Sequence, residues 1–258
     1  MLNLKVIYED DDLLVICKPV GVVVNRAKTV KEATVQDWMA ARMGWPEKKI
    51  AWDEVDWEEV PMEDYFLERV GLVHRLDKET SGVLVLAKTV AGFENLLEQF
   101  KYRKVRKTYI ALTHGSWKAP RGEINLPLGR LRYDFKRVGV RVGGRRSRTE
   151  YEVIQEFRDW RLPEEVDELK YQAFSLVEFR PSTGRTHQIR VHAKHVGHPI
   201  VGDLVYGGRK LAKEDRKWTG RMMLHAAKLG LRQPITGEEL EFSCQADDFE
   251  KVIERVFR

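Results

Sequence analysis

Two short apolar runs open the chain, residues 4–8 and 13–17, separated by the acidic stretch Glu9-Asp10-Asp11-Asp12. Short apolar runs bounded by turn residues predict two strands. Lys18-Pro19-Val20-Gly21 breaks the pattern, and 35–43 predicts a short helix with Thr34 as its N-cap. Residues 44–68 mix Gly, Pro, charge and aromatics without a period, which predicts an irregular excursion. The run 83–87 is apolar throughout, as a strand covered on both faces requires. Beyond it Thr89 can cap a helix in which Phe93, Leu96, Leu97 and Phe100 recur at helical spacing and face the core.

Residues 108–114 alternate, with Tyr109, Ala111 and Thr113 on one side and Ile110 and Leu112 on the other. The Gly- and Arg-rich stretch 120–150 predicts hairpins, and 173–179 a strand ended by Arg180-Pro181. Thr186 can cap a helix running through His195, with Ile189, Ala193 and Val196 inward and Gly197-His198-Pro199 as its stop. Short elements follow, then a charged helix over 248–256. Strands of varied order with helices interspersed predict an α+β fold on a mixed sheet.

A chain of 258 residues suits one large domain or two packed lobes and can bury a core without staples. Cys17 and Cys244 lie far apart and fit neither a disulfide nor a zinc spacing, which favours a reducing, cytoplasmic setting. No stretch has the roughly 20 apolar residues of a membrane span, and the N-terminus has no signal pattern. The net charge of +5 says less than its distribution. Residues 53–68 are mostly acidic, interleaved with Trp52, Trp57, Tyr65 and Phe66. Residues 101–148 are strongly basic, with only Glu123 and Asp134 in opposition. Such a block reads as a solvated surface or, with strand residues interleaved, as a face for a polyanion.

The candidate chemistry centres on His74-Arg75-Leu76-Asp77-Lys78-Glu79-Thr80-Ser81-Gly82, directly before the apolar strand. A carboxylate at the mouth of a buried element, kept ionised by a cation, can act as nucleophile or electrostatic stabiliser. Tyr109 is a strand aromatic that packs in a core or stacks on a base. Arg190 adjoins the inward-facing Ile189, so its guanidinium can reach inward, where it needs an anion such as Asp77. His192, His195 and His198 are three apart rather than at the i, i+4 spacing of helical metal ligands, so no metal site is expected. The chain has no Walker-type loop and no Gly-x-Ser-x-Gly elbow.

The run at 74–82 resembles the signature of the RluA-type pseudouridine synthases. So do Asp12 to Pro19 with Gly21, Lys107-x-Tyr109-x-Ala111, and Gly184 to His192. Leu224-His225-Ala226, Thr236-Gly237-Glu238 and Asp248-Phe249 are similar to the family's C-terminal pattern. The resemblance implies a pseudouridine synthase fold: a mixed, mainly antiparallel sheet flanked by helices, with the active-site cleft across the sheet. It implies one catalytic domain over 1–258, two packed lobes without the S4-like RNA-binding domain of larger relatives. The activity implied is isomerisation of uridine to pseudouridine in ribosomal or transfer RNA, by a monomer without cofactor. Asp77 would be the catalytic aspartate and Arg75 would help displace the target base. Tyr109 would stack on the flipped uracil, Ile189 lie beneath it, and Arg190 hold Asp77. Arg185, Arg145 and Arg146 would contact phosphate. Two rivals remain beside this reading: a catalytically silent RNA-binding or ribosome-assembly protein, and a nucleoside glycosidase.

Overall fold

The computed structural model of the chain describes residues 2–46, 60–131, 134 and 137–257; Trp52, Trp57, Arg132 and Lys136 lie outside the described residues. The chain forms two compact units, Met1–Val105 with Lys228–Cys244, and Arg106–Ala227 with Gln245–Arg258.

In the first unit β1 (Lys5–Glu9) turns back into β2 (Leu13–Lys18). Asp10 makes the turn: its carboxylate accepts from the backbone N–H groups of Asp12 and Leu13 at 2.8 and 2.6 Å. β3 (Ser81–Ala87) lies antiparallel to β2, from Leu13 opposite Ala87 to Lys18 opposite Gly82. All seven residues of β3 are buried, as the unbroken apolar run predicts.

Helix α1 (Val35–Met43) starts at Thr34 with a full capping box. The Thr34 hydroxyl accepts from the Asp37 N–H, and the Asp37 carboxylate accepts from the Thr34 N–H. Helix α2 (Met62–Arg69) corrects the irregular reading of its part of 44–68. Eight residues are too few to display a period, and Phe66 alone is buried there, edge-on to Trp45 and Phe93. Helix α3 (Val90–Lys101) is capped by the Thr89 hydroxyl, which accepts from Gly92 N–H at 3.1 Å. Phe93 and Leu96 are fully buried in the core of this unit, with Leu97 and Phe100 packed at its margin.

The second unit contains β4 (Arg106–His114), β5 (Arg121–Asn125), β6 (Leu128–Arg130), β7 (Val138–Val140), β8 (Arg148–Phe157) and β9 (Phe174–Pro181). Strands run β4-β9-β8-β5, each antiparallel to its neighbour, and β6 and β7 form a separate hairpin. The alternation read in β4 decides which core each residue enters. Ala111 joins Val177, Phe179, Ile189 and Ala193, whereas Leu112 joins Phe174, Trp218, Phe249 and Phe257. Both faces are therefore covered, the first by α4 (Gln188–His195), the second by α5 (Arg209–Thr219) and later α6.

Helix α4 begins at Gln188 after His187, whose φ of 56° is left-handed, so Thr186 is not its cap. Helix α5 escapes a sequence reading because charge dominates it; only Ala212, Asp215, Trp218 and Thr219 are buried.

β10 (Leu224–Arg232) leads from the second unit back into the first, where its residues from Lys228 pair antiparallel with β11 (Glu239–Ser243). Helix α6 (Asp247–Val256) then buries Phe249, Val252 and Val256. The architecture is α+β with mainly antiparallel pairing.

The cysteines also depart from the sequence reading. Cys17 is the penultimate residue of β2 and Cys244 follows β11, and the fold joins them as a disulfide with their Cα atoms 5.8 Å apart. Strand pairing brings together residues 227 apart in sequence, so spacing alone could not reveal the contact, and the inference of compartment from that spacing loses its basis. A link closing so long a loop contributes about 2–4 kcal/mol. Reductant should therefore lower Tm by several degrees, and equal Tm with and without it would show two thiols.

Candidate active site

Asp77 stands in the irregular segment that feeds β3, and buried groups of the first unit hold that segment at both ends. At its start Gly71 takes φ 71°, and its carbonyl accepts from Ala87 N–H at 2.9 Å. A Cβ at this glycine would overlap the Ala87 carbonyl oxygen, so only glycine lets the segment begin against β3. His74 fastens the middle: its Nε2 accepts from Val85 N–H at 3.1 Å and its ring stacks on Phe100 at 4.6 Å.

Lys18 fastens the far end. Its side chain is completely buried, and its ammonium donates to the carbonyls of Pro19, Val22 and Lys78 at 2.9, 2.9 and 3.3 Å. The Lys78 carbonyl also accepts from Gly21 N–H, and Thr80 N–H donates to the Asp77 carbonyl. A buried ammonium satisfied by carbonyls is costly to build and rigid once built. Sequence reading took Lys18-Pro19 only for a turn; the signal of its role was a lysine ending an otherwise buried strand. Asp77 is half-buried, whereas Arg75 is exposed and has no ion-pair partner among the described residues.

The other candidates lie in the second unit. Tyr109 on β4 sits opposite Phe179 of β9 and packs, partly buried, against the cluster that contains Ile189. These two candidates are thus brought to one face. Gln188 opens α4 with all its polar capacity used. Its carbonyl accepts from the Thr183 hydroxyl and Arg185 N–H, and its amide donates to Arg148 O and Thr149 Oγ1. Gln188 thereby shapes the turn carrying Arg185, a role that sequence reading missed.

Arg190 is buried and meets its anion in bidentate form at Asp203: Nε to Oδ2 at 2.7 Å and Nη2 to Oδ1 at 2.8 Å. Asp203 Oδ1 also accepts from the N–H groups of Val205 and Tyr206. Burial pushes this carboxyl upward, but the hydrogen bonds and charge of Arg190 with the two N–H groups outweigh it. The net result lies below the ordinary carboxylate range.

Tyr206 lies beneath two guanidiniums, Arg190 at 5.1 Å and Arg137 at 5.8 Å from its ring centre. Its hydroxyl bonds His187 Nδ1 at 2.8 Å and accepts from Val138 N–H at 3.2 Å. Neither Asp203 nor Tyr206 was singled out in the sequence, although Gly202-Asp203-x-x-Tyr206-Gly207 has the form of an aspartate-centred turn.

The hairpin of β6 and β7 presents the basic surface. Arg130, Arg141, Arg145 and Arg146 are exposed and, among the described residues, none pairs with a carboxylate. Backbone bonds between Leu128 and Arg145, in both directions at 2.8–2.9 Å, fix where Arg145 and Arg146 emerge. Arg148, by contrast, is neutralised by Glu123 and Glu150. Four unneutralised guanidiniums on this hairpin and on the segment that bonds back to it suit a polyanion.

The histidines divide between packing and surface. His192 is fully buried between Thr149 Oγ1 and the Leu126 carbonyl, and burial lowers its pKa. His198 stacks on Trp117 at 4.5 Å, and His195 is exposed. Among the described residues no group of three or more His, Cys, Asp or Glu is arranged to hold a metal ion. Nor is any described helix long and apolar enough to cross a membrane.

A rigidly held aspartate ahead of a buried strand, an aromatic face and an arginine-rich hairpin are the parts of an enzyme acting on RNA. Residues 12–195 match the family described as RNA pseudouridylate synthase. Over 256 residues the chain is 34% identical to the uncharacterized RNA pseudouridine synthase YlyB of Bacillus subtilis, covering 99% of this chain and 73% of that protein. It is 35% identical to ribosomal large subunit pseudouridine synthase C of Vibrio vulnificus, covering 96% and 68%. Among solved structures it is similar to human RNA pseudouridylate synthase domain containing 1, with TM-score 0.71 and 27% identity over 99% of this chain and 88% of that one. The chain belongs to the RluA-type RNA pseudouridine synthase family.

Proposed function

We propose that the chain converts uridine to pseudouridine in large-subunit ribosomal RNA, with Asp77 as the catalytic carboxylate. The observation that carries the role of Asp77 is its placement on a segment fastened by Gly71, His74 and Lys18 immediately before β3. Relatives named for the large ribosomal subunit support the choice of RNA. Breaking the N1–C1′ bond and joining C5 to C1′ yields an isomer, so the atoms balance without a cofactor. As uracil leaves, C1′ becomes positive, and an ionised aspartate stabilises it covalently or electrostatically.

A base within a helix must first be extruded, at a cost of a few kcal/mol. Arg75 is exposed and so available to occupy the vacated stack. Tyr109 is assigned the stacking surface, worth about 1–3 kcal/mol, with Ile189 as the apolar floor. Arg190 is assigned the ion pair with Asp77 in addition to its bond to Asp203. Arg185, Arg145 and Arg146 are assigned to phosphates.

The test uses transcribed large-subunit ribosomal RNA and transfer RNA carrying tritium at C5 of uridine. Bond formation at C5 expels that hydrogen, so tritium should appear in water with the ribosomal transcript. Release only from transfer RNA would move the substrate; binding without release from either would favour a silent binding protein. Released free uracil would indicate a glycosidase. Tyr109→Phe keeps the stacking ring and should keep turnover within about tenfold; complete loss would give its hydroxyl a chemical role. Reversing Arg145 and Arg146 to Glu should weaken RNA binding and flatten its salt dependence by about 0.7–0.9 per lost phosphate contact. Unchanged affinity would place the RNA face elsewhere.

A further inference from the structure

Helix α3 ends in a feature that packing does not explain. Lys104 N–H bonds Gln99 O at 2.8 Å and Arg103 N–H bonds Phe100 O at 3.2 Å, the paired bonds of a Schellman turn. The position after the cap of such a turn is left-handed, where glycine or asparagine is the default because a Cβ is strained there. Here it is Arg103, at φ 59°. The fold therefore tolerates strain to keep a cation at a site where glycine would close the same turn more easily.

The neighbours point the same way. Tyr102 is 59% exposed, so its ring serves no core. Lys101 and Lys104 hold their ammonium groups 5.5 and 5.9 Å from its centre. Lys101, Arg103 and Lys104 are all exposed, and among the described residues none pairs with a carboxylate. Favourable interaction with the end of the α3 dipole accounts for a cation in the last turn, where Lys101 stands. It explains neither the strained arginine nor the exposed ring. The apolar side of this helix end is already served by Phe100, which packs on His74 and the core.

We infer that the turn at 101–104 is a second RNA-binding element, in which Lys101, Arg103 and Lys104 meet phosphates and Tyr102 stacks on an unpaired nucleotide. An aromatic ring among unneutralised cations is the chemistry that single-stranded RNA recognises. This element belongs to the first unit, apart in sequence from the arginine hairpin of the second. The inference rests on RNA being the substrate.

Arg103→Gly separates a binding role from a structural one. Glycine relieves the strained φ, so Tm should stay or rise, while Kd for the ribosomal transcript rises several-fold and the salt slope falls by about 0.7–0.9. Tyr102→Ala should raise Kd about 5-fold or more with Tm unchanged. The loss should appear in KM for tritium release. A lower Tm with unchanged Kd for Arg103→Gly would make the arginine structural and overturn the inference. Unchanged Kd and salt slope in both variants would overturn it too, leaving the substrate reading intact. Failure of the wild type to bind or turn over RNA would instead remove the premise itself.

Discussion

Asp77→Asn should yield a folded protein that still binds RNA but releases tritium at least about 10³-fold more slowly than the wild type. Asparagine keeps the shape of the side chain and removes the charge that faces the developing cation at C1′. The segment is held by backbone bonds and by His74 and Lys18, all of which asparagine leaves in place. Residual turnover within about tenfold of wild type would remove Asp77 from the chemistry. A collapse of Tm would instead show that the carboxylate supports the fold. Thermal unfolding and RNA affinity, measured beside tritium release, distinguish the two.

The largest effect on stability should come from Asp203→Ala. It leaves the Arg190 guanidinium buried without its bidentate carboxylate and the N–H groups of Val205 and Tyr206 without an acceptor. Breaking one side of a buried ion pair costs about 3–5 kcal/mol. At roughly 2–4 °C per kcal/mol for a chain of this size, Tm should fall by about 6–20 °C. A change below about 2 °C would mean that Arg190 finds another anion of equal value.

The same pair carries a pH dependence with a definite sign. The folded-state pKa of Asp203 lies below its unfolded value, so the unfolded chain binds the proton more readily. The contribution is complete above the ordinary aspartate pKa and is lost as pH falls through the folded value. Its loss belongs to the acid limb, below about pH 4. Asp203→Ala should therefore flatten the acid limb of a stability profile as well as lower it.

Much of this was legible in the chain. Strands β2 and β3, the Thr34 and Thr89 caps and the inward stripe of α3 follow from local patterns of polarity. Asp77 itself stood out because a charged turn ran into an unbroken apolar strand. Other features were hidden for identifiable reasons. Helix α2 is too short to show a period, and α5 is too charged to reveal its buried stripe. The left-handed His187, not Thr186, opens α4, because Gln188 binds the preceding turn with its own side chain.

By itself, then, the sequence determined the regular elements other than α2 and α5, the catalytic aspartate candidate, the basic character of the hairpin and the family. Each of these is written in neighbouring residues, through periodicity, capping chemistry or contiguous motif. Only the tertiary structure decided that Lys18 fastens the Asp77 segment across 60 residues, that Asp203 neutralises Arg190, and that Cys17 meets Cys244. Those partners are set by which strands and turns pack together, because a buried charge or thiol takes the group that the fold places beside it rather than the one the chain places nearby.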